Sequence, residues 1–164
     1  MKHFKLTSET KVEFGITFHR IEATKDLPYH GVKCGDKGGW VEKESNLSGN
    51  AWVSGNARVS GNARVSGNAL VYGDAWVYGD AQVYGNAWVY GNARVCNSKD
   101  ILWITVGAFY TATITKKLIF IGCQKFTREE IKSLTKKQAI EKGLPKEFAN
   151  SYRKMILAAM EIVK

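Results

Sequence analysis

Trp40, Arg58, Trp76 and Arg94 lie 18 residues apart and alternate indole with guanidinium. Arg64, Tyr78 and Tyr84 fall among them. These side-chain types can hold a small anion that carries a planar ring. Indole and phenol faces stack bases, and a guanidinium pairs two-pronged with phosphate. The same column has a purely structural use, because arginine over tryptophan is itself a cation–π ladder. A second series at the same spacing, Trp52, Leu70 and Trp88, is apolar. An outward stripe of that kind belongs in a contact between subunits. A third series, Asn46, Arg64 and Gln82, is polar.

The spacing of 18 acquires meaning from the stretch Val41 to Val95, which is nine consecutive six-residue units without an insertion. Each unit opens on Val or Leu and has Ala in its fifth place, Ser45 excepted; from the second unit on, Gly then Asn or Asp fill the third and fourth. A fixed short period is the signature of a solenoid. In Ala-x-Val the two small apolar residues point to one side of a short strand and the middle residue to the other. The following x-Gly-Asn/Asp is a corner, where Gly takes positive φ without a steric penalty. Three strands and three corners make a triangular coil, so the array makes three coils, about 14 Å tall at roughly 4.8 Å per layer. Residues 18 apart then stack on one outer face. The corner positions stack as well: Ser54, Tyr72 and Tyr90; Ser60, Tyr78 and Cys96; Ser48, Ser66 and Tyr84.

This array resembles the hexapeptide repeat of left-handed parallel β-helices, and the left hand is implied by that resemblance alone. Proteins of this kind are often trimeric acyltransferases that use a histidine at a subunit interface to deprotonate the acceptor. Here His3, His19 and His30 all precede the coils, and no loop between hexads carries another. The metal-dependent branch of the fold needs three histidine ligands at an interface, and the array has none. His30-x-x-x-Cys34 is too sparse for a metal site. No phosphate-binding Walker loop, nucleophile elbow or paired-carboxylate arrangement is present. Gly35-Asp-Lys-Gly-Gly39 could cradle a phosphate with backbone amides, but reads more simply as a turn leading into the first coil. The expectation is a non-enzyme without a resident cofactor or metal.

The flanks read differently. Residues 1–14 suggest a flexible start, and Phe14–Ala23 alternates apolar and polar residues as a strand does. With the Gly- and Pro-punctuated loop that follows, residues 1–40 should cap the first coil, since a bare solenoid end exposes strand edges. Beyond the coils (41–96), residues 97–164 should form a small α+β region. Ile101–Cys123 suggests two or three strands with a hairpin at Lys116-Lys117. Thr127-Arg-Glu-Glu130 is a capping box that starts a helix running to Lys142-Gly143. Pro145 can start a second helix to about Val163, whose stripe Phe148, Tyr152, Met155, Ile156, Ala159, Met160 and Val163 should pack into a core.

The net charge of +9 is uneven. Residues 1–40 carry +2, residues 41–96 are neutral, and residues 97–164 hold thirteen basic against six acidic groups. That favours anionic partners, although solvated helix lysines account for much of it. The neutral repeat, without a groove-reading helix, argues against specific duplex binding. Three cysteines, Cys34, Cys96 and Cys123, show no paired spacing, which suggests free thiols and a cytoplasmic protein. The N-terminus lacks the apolar core of a secretory signal. Ile101–Cys123 is too interrupted to span a membrane.

Phe18-His-Arg-Ile, Gly35-Asp-Lys-Gly-Gly-Trp-Val-Glu, Asn46-Leu-Ser and the Gly-Asn-Ala-x-Val array together resemble hexapeptide-repeat proteins encoded by bacteriophages and prophages. Some phage proteins sequester nucleotide messengers of bacterial immunity. The resemblance thus implies a homotrimer in the cytoplasm of an infected bacterium that captures a small anionic, nucleotide-like ligand. Trp40, Arg58, Trp76, Arg94, Arg64, Tyr78 and Tyr84 would form the site, and Trp52, Leu70 and Trp88 the subunit contact. The alternative is a structural solenoid that binds a host protein; an acyltransferase stands third.

Overall fold

A computed structural model describes residues 2–97, 100–106, 110–121, 124–143 and 149–163, without the side chains of 103–106, 110–111 and 149–152. The chain divides into two compact units, Met1–Ser98 and Lys99–Lys164. The N-terminal segment is therefore part of the solenoid unit rather than a separate body.

The first unit opens with a hairpin of β1 (Phe4–Glu13) and β2 (Ile16–Ala23), followed by β3 (Lys37–Val41). Eight two-residue strands then recur every six residues: β4 (Trp52–Val53), β5 (Arg58–Val59), β6 (Arg64–Val65), β7 (Leu70–Val71), β8 (Trp76–Val77), β9 (Gln82–Val83), β10 (Trp88–Val89) and β11 (Arg94–Val95). They stack in parallel with a register of 18, as β3-β5-β8-β11, β4-β7-β10 and β6-β9. These are the three faces expected of a three-coil β-solenoid. The alanines and valines line the bore: from Ala51 to Val95 each is at most 3% exposed. Each coil donates backbone N–H groups to carbonyls of the next, as in Arg58 N to Ala75 O (2.9 Å) and Trp76 N to Ala93 O (2.8 Å).

The corners depend on glycine for two reasons. Gly67 has φ of 69°, and a Cβ there would lie 2.9 Å from the backbone N of Gly85 in the next coil. Neither a left-handed backbone nor that approach suits another residue. The asparagines beside the glycines do not take positive φ. They ladder instead: Asn50 Nδ2 donates to Asn68 Oδ1 (3.3 Å), and Asn68 Nδ2 to Asn86 Oδ1 (3.2 Å).

Two expectations fail at the start of the stack. Residues 4–13 are strand, not a flexible lead. Their polar run Thr7–Thr10 hides the strand because β1 is irregularly paired between Leu6 and Thr10, at the sheet edge. Asn46 was expected on the outer polar face. It lies inside, 1% exposed, in a 3-10 turn over Glu44–Asn46. Its Nδ2 donates to the Ala63 and Gly61 carbonyls (2.8 and 3.2 Å), and its Oδ1 accepts from Lys43 N (3.0 Å). The first hexad has no Gly-Asn corner, and this side chain turns inward to stand in for the missing backbone geometry.

The second unit is an antiparallel meander, β12 (Ile101–Val106), β13 (Tyr110–Thr115), β14 (Leu118–Ile121) and β15 (Gln124–Thr127), with its β13–β14 turn at Lys116-Lys117 as expected. Helices α1 (Arg128–Ser133), α2 (Lys136–Glu141) and α3 (Ala149–Ile162) follow. The helix expected to continue to Gly143 is broken at Leu134, because Thr135 and Gln138 form a second capping box and restart it. Ile156, Ala159, Met160 and Val163 pack with Ile114, Ile119, Phe126 and Ile131 into a core of this unit's own. Met155 is 42% exposed, so it leaves the buried stripe. Pro145 and Phe148 lie outside the described residues, as does Cys123, and the Tyr152 side chain is not described. Cys34 is an exposed free thiol, and Cys96 Sγ accepts from Asn97 Nδ2 at 3.7 Å.

Candidate functional site

The middle residue of each Ala-x-Val unit must point outward, because its neighbours fill the bore. Trp40, Arg58, Trp76 and Arg94 consequently pair in register across β3, β5, β8 and β11. Arg58 Cζ lies 5.6 Å from the Trp76 ring centroid on one side, and Arg94 Cζ 5.3 Å on the other. The indole is thus held between two guanidinium groups. Its Nε1 donates to Ser60 Oγ at 3.0 Å, and the Tyr78 ring sits 4.6 Å away at 35°.

The β1–β2 hairpin adds residues that periodicity could not reveal, because it lies outside the repeat. Its tip reaches across the column. The Glu13 carboxylate contacts Arg58 Nη1, and the Phe14 ring stacks on Trp76 at 5.1 Å and 17°. Lys11 beside Glu13, together with Arg58, holds the Glu13 carboxyl below the usual range despite partial desolvation. Phe14 has φ of 54° and Gly15 74°, so both residues of the turn are left-handed. For a bulky side chain that backbone is uncommon and strained. Among the described residues, Phe14 is the only non-glycine with positive φ. A left-handed pair is what a tight hairpin between right-twisted strands requires, and Asn or Gly usually fills it.

Trp40 departs from the expectation of an open stacking surface. It is 8% exposed, with Lys11 Nζ 4.6 Å and Arg20 Cζ 5.1 Å from its ring, and its Nε1 is buried without a hydrogen-bond partner. Arg64 is on a different face, paired with Gln82. With Lys43, Asn46 and Asn62 it lines a depression of about 180 Å³, below the several hundred Å³ of ordinary ligand pockets. Tyr84 follows β9 on that same face and is 48% exposed, so it does not join the Trp76 cluster. The structure therefore brings together Arg58, Trp76, Arg94 and Tyr78, and leaves Trp40, Arg64 and Tyr84 apart from them.

The apolar series also divides. Trp52 is 2% exposed and buried within the chain, which removes it from any contact surface. Two histidines of the N-terminal segment arrive just before it. His3 Nε2 donates to Ala51 O (2.7 Å) and His30 Nε2 to Asn50 O (2.8 Å). Burial pushes both imidazoles below their ordinary pKa, against the opposing effect of these bonds. Leu70 and Trp88 remain half-buried, and Tyr72 meets Trp88 edge-on at 6.3 Å while stacking on Tyr90 at 4.7 Å.

Two weaker sequence signals resolve as structure. Gly35 has φ of 92°, and Asp36 Oδ2 accepts from Lys33 N at 2.8 Å, which makes a turn. Gly38 and Gly39 lie in β3 packed against Ile21 and Val53, leaving no room there for a phosphate. His30 is engaged with the solenoid, and among the described residues no group of three or more His, Cys, Asp or Glu could hold a metal. Nor is any described helix long and apolar enough to cross a membrane.

The family model for the YdcK beta-solenoid repeat matches residues 51–66, 63–79 and 81–97. Those matches cover the coils from residue 51 onward and leave out the hairpin, the first hexads and the second unit. No curated protein matches the chain. The 18-residue register, the alanine–valine bore and these three consecutive matches make the chain a β-solenoid repeat protein.

Proposed function

We propose that this solenoid is a non-catalytic binding protein whose Trp76 face takes a small, planar, anionic ligand of nucleotide type. The observation that carries the reading is the Trp76 indole held between Arg58 and Arg94, with Tyr78 beside it. Such a surface stacks a ring and offers paired cations to an anion at its edge. Arg94 is the exposed cation of the pair, while Arg58 is engaged by Glu13. A homotrimer packed through the Leu70 and Trp88 face would place three such surfaces on one particle. A phage-encoded role in the bacterial cytoplasm, sequestering a nucleotide signal of host immunity, fits this arrangement. Isothermal titration of the full chain with a panel of adenine and cyclic nucleotides tests the reading. Heat that is lost in Trp76→Ala and Arg94→Ala supports it; no heat with any member of the panel overturns it. Native mass spectrometry reads the subunit count in the same preparation, and a monomer would overturn the trimer.

One observation favours a second reading. Lys11 and Arg20 flank Trp40, and Glu13 engages Arg58, so much of the column is satisfied within the chain. On that reading the ladder is structural, and the protein acts through a host protein partner. A nucleotide panel without heat, joined to a host protein captured by wild type and lost on substitution of Leu70 or Trp88, selects it.

A further inference from the structure

We infer that the Glu13–Phe14 hairpin tip is a built-in surrogate for the ligand, which must swing off the Trp76 face before that ligand binds. The inference rests on the ligand reading of that face and specifies it: the ligand carries an anionic group and a planar ring in one small molecule, one for Arg58 and one for Trp76.

The tip supplies both halves of such a molecule. A carboxylate sits on the Arg58 guanidinium, and an aromatic ring lies nearly parallel to the Trp76 indole. They come from adjacent residues and meet Arg58 and Trp76, which are themselves register partners on adjacent strands. Nothing in hairpin formation calls for this pair. The turn needs two left-handed residues, and phenylalanine is a poor choice for one of them. Phe14 is 73% exposed despite its stack, and Val12 is 69% exposed, so the tip is not anchored in a core. A strained, exposed aromatic held by one ring contact and one ion pair is suited to leaving.

The rest of the hairpin is built to stay. Lys5 pairs with Glu22, Lys37 with Glu9, and Phe4, Phe18 and Ile21 are buried. The β1–β2 pairing ends at Glu13 and Ile16, which leaves Phe14 and Gly15 to form the tip. Displacing Phe14 and turning the side chain of Glu13, the last rung of the ladder, would bare the Trp76 indole face and free Arg58 while the rest of the strand pairing stays closed. The ligand would gain the cation and the ring surface that the tip gives up, so the two compete for one place.

The test compares three forms of the full chain in titrations with AMP. Phe14→Asn keeps a turn-compatible residue before Gly15 and removes the ring. Glu13→Gln keeps the shape and removes the charge. A tip that covers the site nine-tenths of the time lowers apparent affinity about tenfold. Both variants should therefore bind AMP roughly up to tenfold tighter than wild type, and AMP should raise amide exchange at residues 12–16 of wild type. Equal affinity in all three forms, with Trp76→Ala abolishing binding, overturns the surrogate and keeps the ligand site. Weaker binding in Phe14→Asn also overturns it, making Phe14 part of the site instead. No binding of AMP by any form, at concentrations where other nucleotides also fail, overturns the ligand reading itself. A circular dichroism melt of each variant confirms that the fold is intact.

Discussion

Trp40 and Trp76 occupy the same place in the repeat, two coils apart on one face and joined through Arg58. Their surroundings differ. Trp40 lies under the body of the β1–β2 hairpin, 8% exposed and with its Nε1 unpartnered. Trp76 lies at the hairpin's tip, half-buried, with Nε1 bonded to Ser60. The repeat sets where a side chain points, and what flanks the repeat sets what the side chain can do. The first strand layer of this face, β3, is consequently structural, and the third, β8, offers a surface.

The largest effect should separate the two indoles. Trp40→Ala removes a buried ring and should destabilise the first unit by about 4 kcal/mol. Trp76→Ala, on a half-buried ring, should cost about 2 kcal/mol and act mainly on ligand binding. Urea denaturation of both variants measures the gap. Equal losses would break the distinction between a covered coil and an open one.

Glycines sharpen the same contrast. A Cβ on Gly39 would lie 2.7 Å from Val53 Cγ1 and 2.8 Å from the Ala57 carbonyl, in a bore that cannot widen. Gly39→Ala should cost about 3 kcal/mol. At Gly85, in the last coil, a Cβ meets nothing within 4 Å, and only the left-handed φ of 67° opposes it. Gly85→Ala should cost about 1 kcal/mol. If the two variants shift the urea midpoint equally, crowding is uniform along the stack.

The coils were legible in the sequence because one period governs them. An alanine and a valine in every unit mark the bore, and the 18-residue register follows by counting. The column Arg58, Trp76, Arg94 was legible for the same reason. What escaped was everything set by chain outside the period. Glu13 and Phe14 belong to a hairpin whose first strand looks polar, and their contact with residues 45 and 62 positions onward has no local signal. Asn46 shares its place with Arg64 and yet faces inward, because its unit lacks the Gly-Asn corner. In the second unit the capping box at Thr127 was readable, whereas the one at Thr135 was hidden inside an unbroken helical pattern.

Acid should loosen the covered end before the open one. His3 and His30 are held below 6.5, their unperturbed value, mainly by burial. The folded chain then binds fewer protons than the unfolded chain near that pH. Their contribution is fully present above 6.5 and is lost as pH falls towards their folded values. Glu9 and Glu13 are also lowered, by Lys37 and Lys11, but they titrate below 4.5 and do not enter this window. The urea midpoint should drop between pH 7.5 and 5.5, and His3→Gln with His30→Gln should flatten that slope. A slope unchanged in the double variant would place the acid sensitivity elsewhere.

The smallest effect asks whether the corners, unlike the faces, are equivalent from coil to coil. Asn68 sits between Asn50 and Asn86, accepting from one and donating to the other, whereas Asn86 has only the Asn68 bond in this ladder. Because glycine alone takes the left-handed turn position, alanine in place of either asparagine adds no backbone strain. The change in stability then measures the ladder itself. Exposed side-chain bonds compete with water, so each should contribute about 0.5 kcal/mol. Asn68→Ala should cost about 1 kcal/mol and Asn86→Ala about half that. A ratio near two means that the corners add independently, so the difference between Trp40 and Trp76 comes from the hairpin. A much larger loss at Asn68 would mean that the stack is cooperative at its middle, and that the layers of Trp40 and Trp76 differ for reasons within the solenoid.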